Sequence, residues 1–327
     1  MGAQLDERQH VMVVSLRKSG THLLREVMTR LGYKPYGVTH EDEEDATATP
    51  AEIERLLRAA YGQQEADRLL NGGDSPGVAE AFAAALVSLD RLWGIRLGGR
   101  LKDFNLSQEY VPTEVDARLA RMPETESFRL LPSTPCLFLH SLSIQDCDPD
   151  FLKSWNTTGY PRIIFNYRDW RDTVLSMVNY LSKKSPASVG QVLDHHIYRE
   201  ILTSLPSMED KITLALTDPN FPGMEQAQRC LWLLRHPRVC KVSFEELVGP
   251  HGSGSKEAQR AAVERIIRFV GSGACVESVA GAIYNPASKT FYKGRTGRWK
   301  EHFTQAHHAL VEQKHADMVS AYQPHTK

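Results

Sequence analysis

The chain lacks every feature that would place it in a stapled, strongly charged or membrane-spanning class. Its five cysteines (Cys136, Cys147, Cys230, Cys240, Cys275) are scattered, odd in number and form no Cys-x-x-Cys pair. That excludes a disulfide framework or a zinc ribbon and fits a reducing, cytoplasmic setting. Neither sign of charge is in excess: 39 Lys plus Arg stand against 40 Asp plus Glu, a net charge of −1. A general electrostatic nucleic-acid binder is therefore not expected, and any anion site must be local. No apolar run of about 18 residues exists, so no membrane span is expected. The first ten residues, MGAQLDERQH, are polar and charged, and no secretory leader is expected from them. Internal repeats, low-complexity tracts and the dinucleotide fingerprint G-x-G-x-x-G are also missing.

What is present is a soluble α/β pattern over 327 residues, with 41% hydrophobic and 24% charged residues. VMVVSL (11–16) is a short, nearly continuous apolar run and predicts a buried strand. The polar turn RKSGT (17–21) follows, then Leu23, Leu24, Val27, Met28 and Leu31 at helical spacing, stopped at Gly32. CLFLH (136–140), RIIFNY (162–167) and VCKVSF (239–244) predict three more core strands. Asp169 is placed to cap a helix carrying Val174, Leu175, Val178 and Leu181, with Asp172 at its third position. Thr49-Pro50-Ala51-Glu52 predicts a capped helix start, and VAEAFAAALVSLDRLWG (78–94) a long helix. The acidic run EDEED (41–45) reads as an exposed loop and GPHGSGSK (249–256) as a flexible one. AAVERIIRFVG (261–271) and the tail 305–324 read as helices. Alternating strands and helices imply a parallel sheet covered on both faces, with residues 40–135 as a helix-rich insertion within one domain.

The first strand, loop and helix form a candidate anion site. A helix start presents backbone N–H groups without partners inside the helix, and its dipole adds partial positive charge. Gly20 permits close approach, Lys18 brings a full charge, and Ser19, Thr21 and His22 bring donors. The order Lys18-Ser19-Gly20-Thr21 is not that of G-x-x-x-x-G-K-[ST], so a plain ATP or GTP hydrolase is disfavoured.

SLRKSGTHLL (15–24) resembles the 5′-phosphosulfate loop of the PAPS-dependent sulfotransferases, where a strand runs into P-K-S-G-T-[TH]. PAPS is 3′-phosphoadenosine 5′-phosphosulfate, and Arg17 stands where Pro is common. IIFNYRDWRDTVLSMVNYL (163–181) is similar to the family's 3′-phosphate segment, R-[DN]-x-x-D-x-x-x-S, with Arg168 and Ser176 in its two marked places. FYKGRTGRWKEHFT (291–304) is similar to the C-terminal segment R-K-G-x-x-G-x-W-K-x-x-F. There Lys293, Gly294, Gly297, Trp299, Lys300 and Phe303 match, while Tyr292 takes the place of Arg, with Arg295 close by. KVSFEEL (241–247) resembles a late strand that leads into an acidic turn. The resemblance spans roughly residues 10–305.

It implies one domain over residues 1–327, built on a P-loop-NTPase-like central parallel sheet flanked by helices. The insertion at about 40–135 would form part of the acceptor side. It implies PAPS as sulfuryl donor, no metal, a small organic hydroxyl compound as acceptor, and neither nucleic acid nor membrane as partner. The cofactor residues carried over are Arg17, Lys18, Ser19, Gly20, Thr21, His22, Arg168, Ser176, Tyr292, Lys293, Gly294 and Arg295. Lys18 would stabilise the leaving oxygen, and His140, ending its strand in the context Leu-His-Ser-Leu, would take the acceptor's proton. Phe138 stands where many members carry Lys. His22, His40 and a carboxylate of the insertion are rival bases. Tyr36, Phe82, Trp93 and Phe104 are candidates for the acceptor pocket or, more simply, for the core. The pairs His195-His196 and His307-His308 lack the three- or four-residue spacing of helical metal ligands. A magnesium-dependent kinase and a catalytically degenerate nucleotide-binding module are the alternatives.

Overall fold

The computed structural model of the chain describes residues 10–37, 48–72, 75–98, 112–131, 135–183, 192–283 and 294–324. Five strands, β1 (Val11–Ser15), β2 (Lys34–Gly37), β3 (Pro135–Leu139), β4 (Arg162–Tyr167) and β5 (Cys240–Ser243), form one parallel sheet in the order β2-β3-β1-β4-β5. The helices before β3 are α1 (Thr21–Arg30), α2 (Pro50–Tyr61), α3 (Gln63–Asn71), α4 (Ser75–Arg96), α5 (Thr113–Ala120) and α6 (Glu124–Phe128). Between β3 and β5 lie α7 (Pro149–Thr158), α8 (Trp170–Lys183), α9 (Leu193–Ser204), α10 (Met208–Thr217), α11 (Met224–Arg229) and α12 (Leu231–Arg235). After β5 come α13 (Phe244–Leu247), α14 (Lys256–Val270), α15 (Val276–Ala280) and α16 (Gln305–Ala321).

All five residues of β1 are buried, as a strand with helices on both faces requires. Its side chains alternate between two cores. Val11 and Val13 join Leu24, Val27 and Met28 of α1 and Val263 and Ile266 of α14. Met12 and Val14 join Val174, Leu175 and Val178 of α8. Each fully buried side chain of this size contributes about 1.5–3 kcal/mol of transfer free energy. The expected fold, a central parallel sheet flanked by helices, is the one observed. The chain winds one way from β1 to β2 and the other way from β3 to β4, which lie on either side of β1. Ligand crevices of open α/β sheets form at the carboxyl ends of strands where winding reverses, and here that point is the end of β1.

Several local expectations meet their physical causes. Thr49 N donates to Glu52 Oε2 at 2.7 Å, and Glu52 N donates to Thr49 Oγ1 at 3.3 Å, so the capping box forms. Asp169 Oδ1 accepts from Arg171 N at 2.9 Å at the start of α8. Two findings differ. The segment read as a flexible loop at 249–256 contains a short 3-10 turn, Gly249–Gly252, closed by Gly254 N donating to Gly249 O at 2.8 Å. Helix α14 also starts five residues before its apolar period, because Ser255 caps it by accepting from Ala258 N at 3.0 Å. Among the described residues no helix is long and apolar enough to cross a membrane. The five cysteines are free thiols, and only Cys275 is exposed.

Candidate functional site

The loop between β1 and α1 is wound around buried hydroxyls. Ser15, the last residue of β1, shares a hydrogen bond between its Oγ and Thr21 Oγ1 at 2.8 Å. Ser19 Oγ donates to Leu16 O at 2.5 Å, and Ser19 N donates to the same oxygen at 3.1 Å. Asn166 of β4, wholly buried, donates through Nδ2 to Ser15 Oγ at 3.0 Å and to Ser19 O at 3.1 Å. The hydroxyls of Ser19 and Thr21 thus brace the loop from inside. Lys18 is held at φ +66°, a left-handed conformation that costs a non-glycine residue about 1–2 kcal/mol. Gly20 sits at φ +87°, and a Cβ there would lie 2.5 Å from the Phe244 ring, so this turn requires glycine. Helix α1 begins with no side-chain cap and no acidic residue in its first turn, which leaves its N-terminal end suited to an anion.

His140 follows β3 directly and faces this loop. Its Nδ1 lies 3.0 Å from Ser15 O. A carbonyl only accepts, so Nδ1 carries the proton and Nε2 is the basic nitrogen. Burial, then the charge of Arg17 and more weakly that of Lys18, push its pKa down to about 3, against an upward pull from the bond to Ser15. Arg17 Nη1 lies 2.5 Å from His195 Nε2. The Lys18 ammonium sits 4.2 Å from the centre of the Tyr180 ring, and His195 meets the same ring edge-on at 5.7 Å. Phe138 is fully buried in the core with Val11 and Val13 and adds no charge.

Arg168, at the end of β4, joins the three sequence motifs. Its side chain is 10% exposed. Nη1 donates to Lys18 O at 3.4 Å and Nη2 to Arg295 O at 2.8 Å, while the guanidinium lies 4.2 Å over the Phe244 ring. Asp172, 1% exposed, pairs with Arg168 Nη2 at 3.4 Å and accepts from Gly297 N at 2.7 Å and Trp299 N at 3.0 Å. Arg171 lies 3.7 Å over Trp299 and donates to both oxygens of Asp169. The segment at 294–299 is thereby tied to α8 and through Arg168 to the β1–α1 loop. Ser176 is half-buried on α8, two turns on from Arg168. Glu245 of α13 accepts from Asp169 N at 3.2 Å, and burial, opposed by Arg168, raises its carboxyl to about 7.

Of the residues expected in the site, the structure gathers Arg17, Lys18, Ser19, Gly20, Thr21, His140, Arg168 and Arg295 around the carboxyl ends of β1, β3 and β4. His22 lies in the first turn of α1, and Gly294 precedes Arg295. Tyr292, Lys293, His40 and Phe104 lie outside the described residues, and so does the side chain of Tyr36. Trp93 is a core residue, packed edge-on against Phe128 at 4.9 Å and Phe151 at 5.9 Å. Phe82 also packs against that core. Sequence reasoning missed Asn166, Tyr180 and His195. Asn166 left a signal, a lone amide inside an apolar strand run. Tyr180 and His195 left none, since they reach the loop only through the packing of α8 on α9. His307, Nδ1 of which accepts from Thr304 N at 3.1 Å, caps α16 rather than pairing with His308.

The chain matches no family model and no curated protein sequence. Solved structures similar to it include retinol dehydratase in complex with androsterone and inactive cofactor PAP, at 15% identity and a TM-score of 0.43, covering 95% of this chain and 80% of that one. Retinol dehydratase with retinol and PAP gives 14% identity and a TM-score of 0.43, covering 97% and 83%. Mouse sulfotransferase SULT7A1 complexed with PAP gives 15% identity and a TM-score of 0.48, covering 95% and 84%. All three TM-scores fall below 0.5, so the functional reading rests on the residues themselves.

Proposed function

We propose that the chain is a sulfotransferase that moves the sulfuryl group of PAPS to the hydroxyl of a small organic acceptor. The observation that carries this is the position of Arg168. One buried guanidinium touches the β1–α1 loop at Lys18 O and the 294–299 segment at Arg295 O. Segments 127 and 150 residues away from it converge on one charged group. Such a fork suits an anionic phosphate, and the uncapped start of α1 suits a second one. Two phosphate subsites flanking one loop fit a nucleotide bearing both a 3′-phosphate and a 5′-phosphosulfate.

PAPS supplies the activated sulfuryl group, and the chain's residues do the positioning and proton handling. His140 Nε2 is the proton acceptor for the attacking hydroxyl, in the tautomer fixed by Ser15 O. The ammonium of Lys18 stabilises charge on the leaving oxygen. A magnesium-dependent kinase is the weaker reading, because the Ser19 and Thr21 hydroxyls that would hold a metal are bonded inside the loop. We place the helices of residues 50–131 on the acceptor side.

Calorimetric titration tests the reading. Adenosine 3′,5′-bisphosphate should bind without magnesium, and more tightly than ADP. Arg168→Ala should weaken it by about 10–100-fold, the scale of charge-assisted hydrogen bonds to one phosphate. Preference for magnesium-ADP, or indifference to the 3′-phosphate, would overturn the assignment.

A further inference from the structure

The residues around His140 form a cluster that nucleotide binding alone does not explain. Arg17 is two positions beyond Ser15, whose carbonyl holds His140. Its guanidinium reaches across to His195 of α9, with Nη1 and Nε2 2.5 Å apart. Arginine only donates, so His195 Nε2 accepts, and that ring carries its proton on Nδ1. His195 is 6% exposed and is braced edge-on by Tyr180, whose ring also stacks under the Lys18 ammonium. The contacts run from His140 to Ser15, along the loop to Arg17, on to His195, Tyr180 and Lys18. Two cations and a proton-accepting imidazole are thus linked in one chain of contacts beside the loop that holds His140. Arg168 lies on the other flank of the loop, at Lys18 O.

We propose that Arg17, aimed by the neutral ring of His195, binds the transferring sulfonate beside His140, while the nucleotide phosphates fall to the start of α1 and to Arg168. The inference rests on the sulfotransferase reading and refines it. A guanidinium matches the oxygens of a tetrahedral oxyanion, and its charge survives at any pH of interest. During transfer the acceptor oxygen bonds to sulfur as sulfur's bond to the 5′-phosphate oxygen breaks. The acceptor's proton moves to His140 Nε2, and the electron pair of the broken bond leaves on the bisphosphate. Arg17 keeps all its protons and follows the non-bridging sulfonate oxygens through that change. Arg17 is then a catalytic residue and His195 a positioning residue, which differs in a testable way from a role in packing α9.

The test compares two ligands on the same proteins by calorimetry: adenosine 3′,5′-bisphosphate, which lacks the sulfonate, and PAPS, which carries it. In Arg17→Ala and His195→Phe, bisphosphate affinity should stay within twofold of the native value. PAPS affinity, or single-turnover sulfuryl transfer to a phenolic acceptor, should fall at least tenfold. In His195→Gln a side-chain carbonyl can still accept from Arg17, so most of that loss should be restored. Thermal melts run alongside separate this from unfolding. Equal loss of both ligands in Arg17→Ala would make Arg17 a general phosphate ligand and overturn the inference. A His195→Gln variant no better than His195→Phe would overturn the positioning role. A native protein that binds neither ligand would overturn the sulfotransferase reading itself, and this inference with it.

Discussion

His140 is held in the protonation state a base needs, in surroundings that oppose the proton it would accept. Burial is the largest cause of its pKa near 3, and the charges of Arg17 and Lys18 deepen the shift. A base that weak would have little driving force to deprotonate a hydroxyl near neutral pH. The cationic share of the shift can be cancelled by an anion, and the burial share cannot. Filling the loop with a polyanion should therefore raise the His140 pKa. The measurement is an NMR titration of the labelled imidazole with and without adenosine 3′,5′-bisphosphate. Without ligand, His140 should stay neutral down to about pH 4, and its midpoint should move up when ligand is bound. A free-state midpoint near the ordinary 6.5 would contradict the cationic, half-buried setting. On this view the donor's own charge switches on the base that receives the acceptor's proton.

At the scale of elements, the site depends on a side chain that reads from sequence as a helix-start acid. Asp172 does sit in the first turn of α8, where a negative charge is favourable. It also holds the backbone of Gly297 and Trp299 and pairs with Arg168. Asp172→Ala would leave two backbone donors without their acceptor and a buried guanidinium without its counter-ion. The expected loss in urea unfolding is about 3–5 kcal/mol, with bisphosphate affinity falling in the same variant because the 294–299 segment is no longer tied down. Asp172→Asn, which keeps an acceptor oxygen, should lose less of both. The sequence marks the elements well and their cross-connections poorly. β1 and β4 are legible as unbroken apolar runs, and α2 by its capping box. β2 escapes because its four residues, KPYG, hold no apolar run and its strand geometry comes from pairing with β3 at the sheet edge. The loop-to-helix ties of Asp172 and Arg168 span 125 to 150 residues, and no local pattern encodes such a contact.

For the whole molecule, His10, His140 and Glu245 carry, among the described residues, the large pKa shifts that bear on stability in mildly acidic solution, and His236, lowered by burial with Arg238 and Lys241, acts in the same direction as the other two histidines. His10 lies before β1, edge-on to Tyr160, and burial with Arg129 and Arg55 pushes it down to about 4. His140 is pushed down to about 3, and Glu245 is pushed up to about 7. A histidine with a lowered folded pKa stabilises the fold above its ordinary 6.5, and that contribution is lost as pH falls toward the folded value. A carboxyl with a raised folded pKa acts the other way, stabilising below its ordinary 4.5 and losing this as pH rises through about 7. Between about pH 5 and 6 the unfolded chain binds the protons of His10 and His140 and the folded chain binds the Glu245 proton, a net of one proton favouring the unfolded state. Stability from these three groups should therefore rise with pH, by about 1.4 kcal/mol per pH unit. Glu245→Gln should steepen the slope by about one proton's worth and His10→Phe should flatten it by about the same amount. Urea unfolding of the three proteins at several pH values in this window reads the slopes directly. A native slope that Glu245→Gln leaves unchanged would mean that Glu245 is ionised in the folded protein. Arg168 would then have won over burial, and the phosphate-facing end of β4 would carry one more negative charge than the geometry around Asp169 implies.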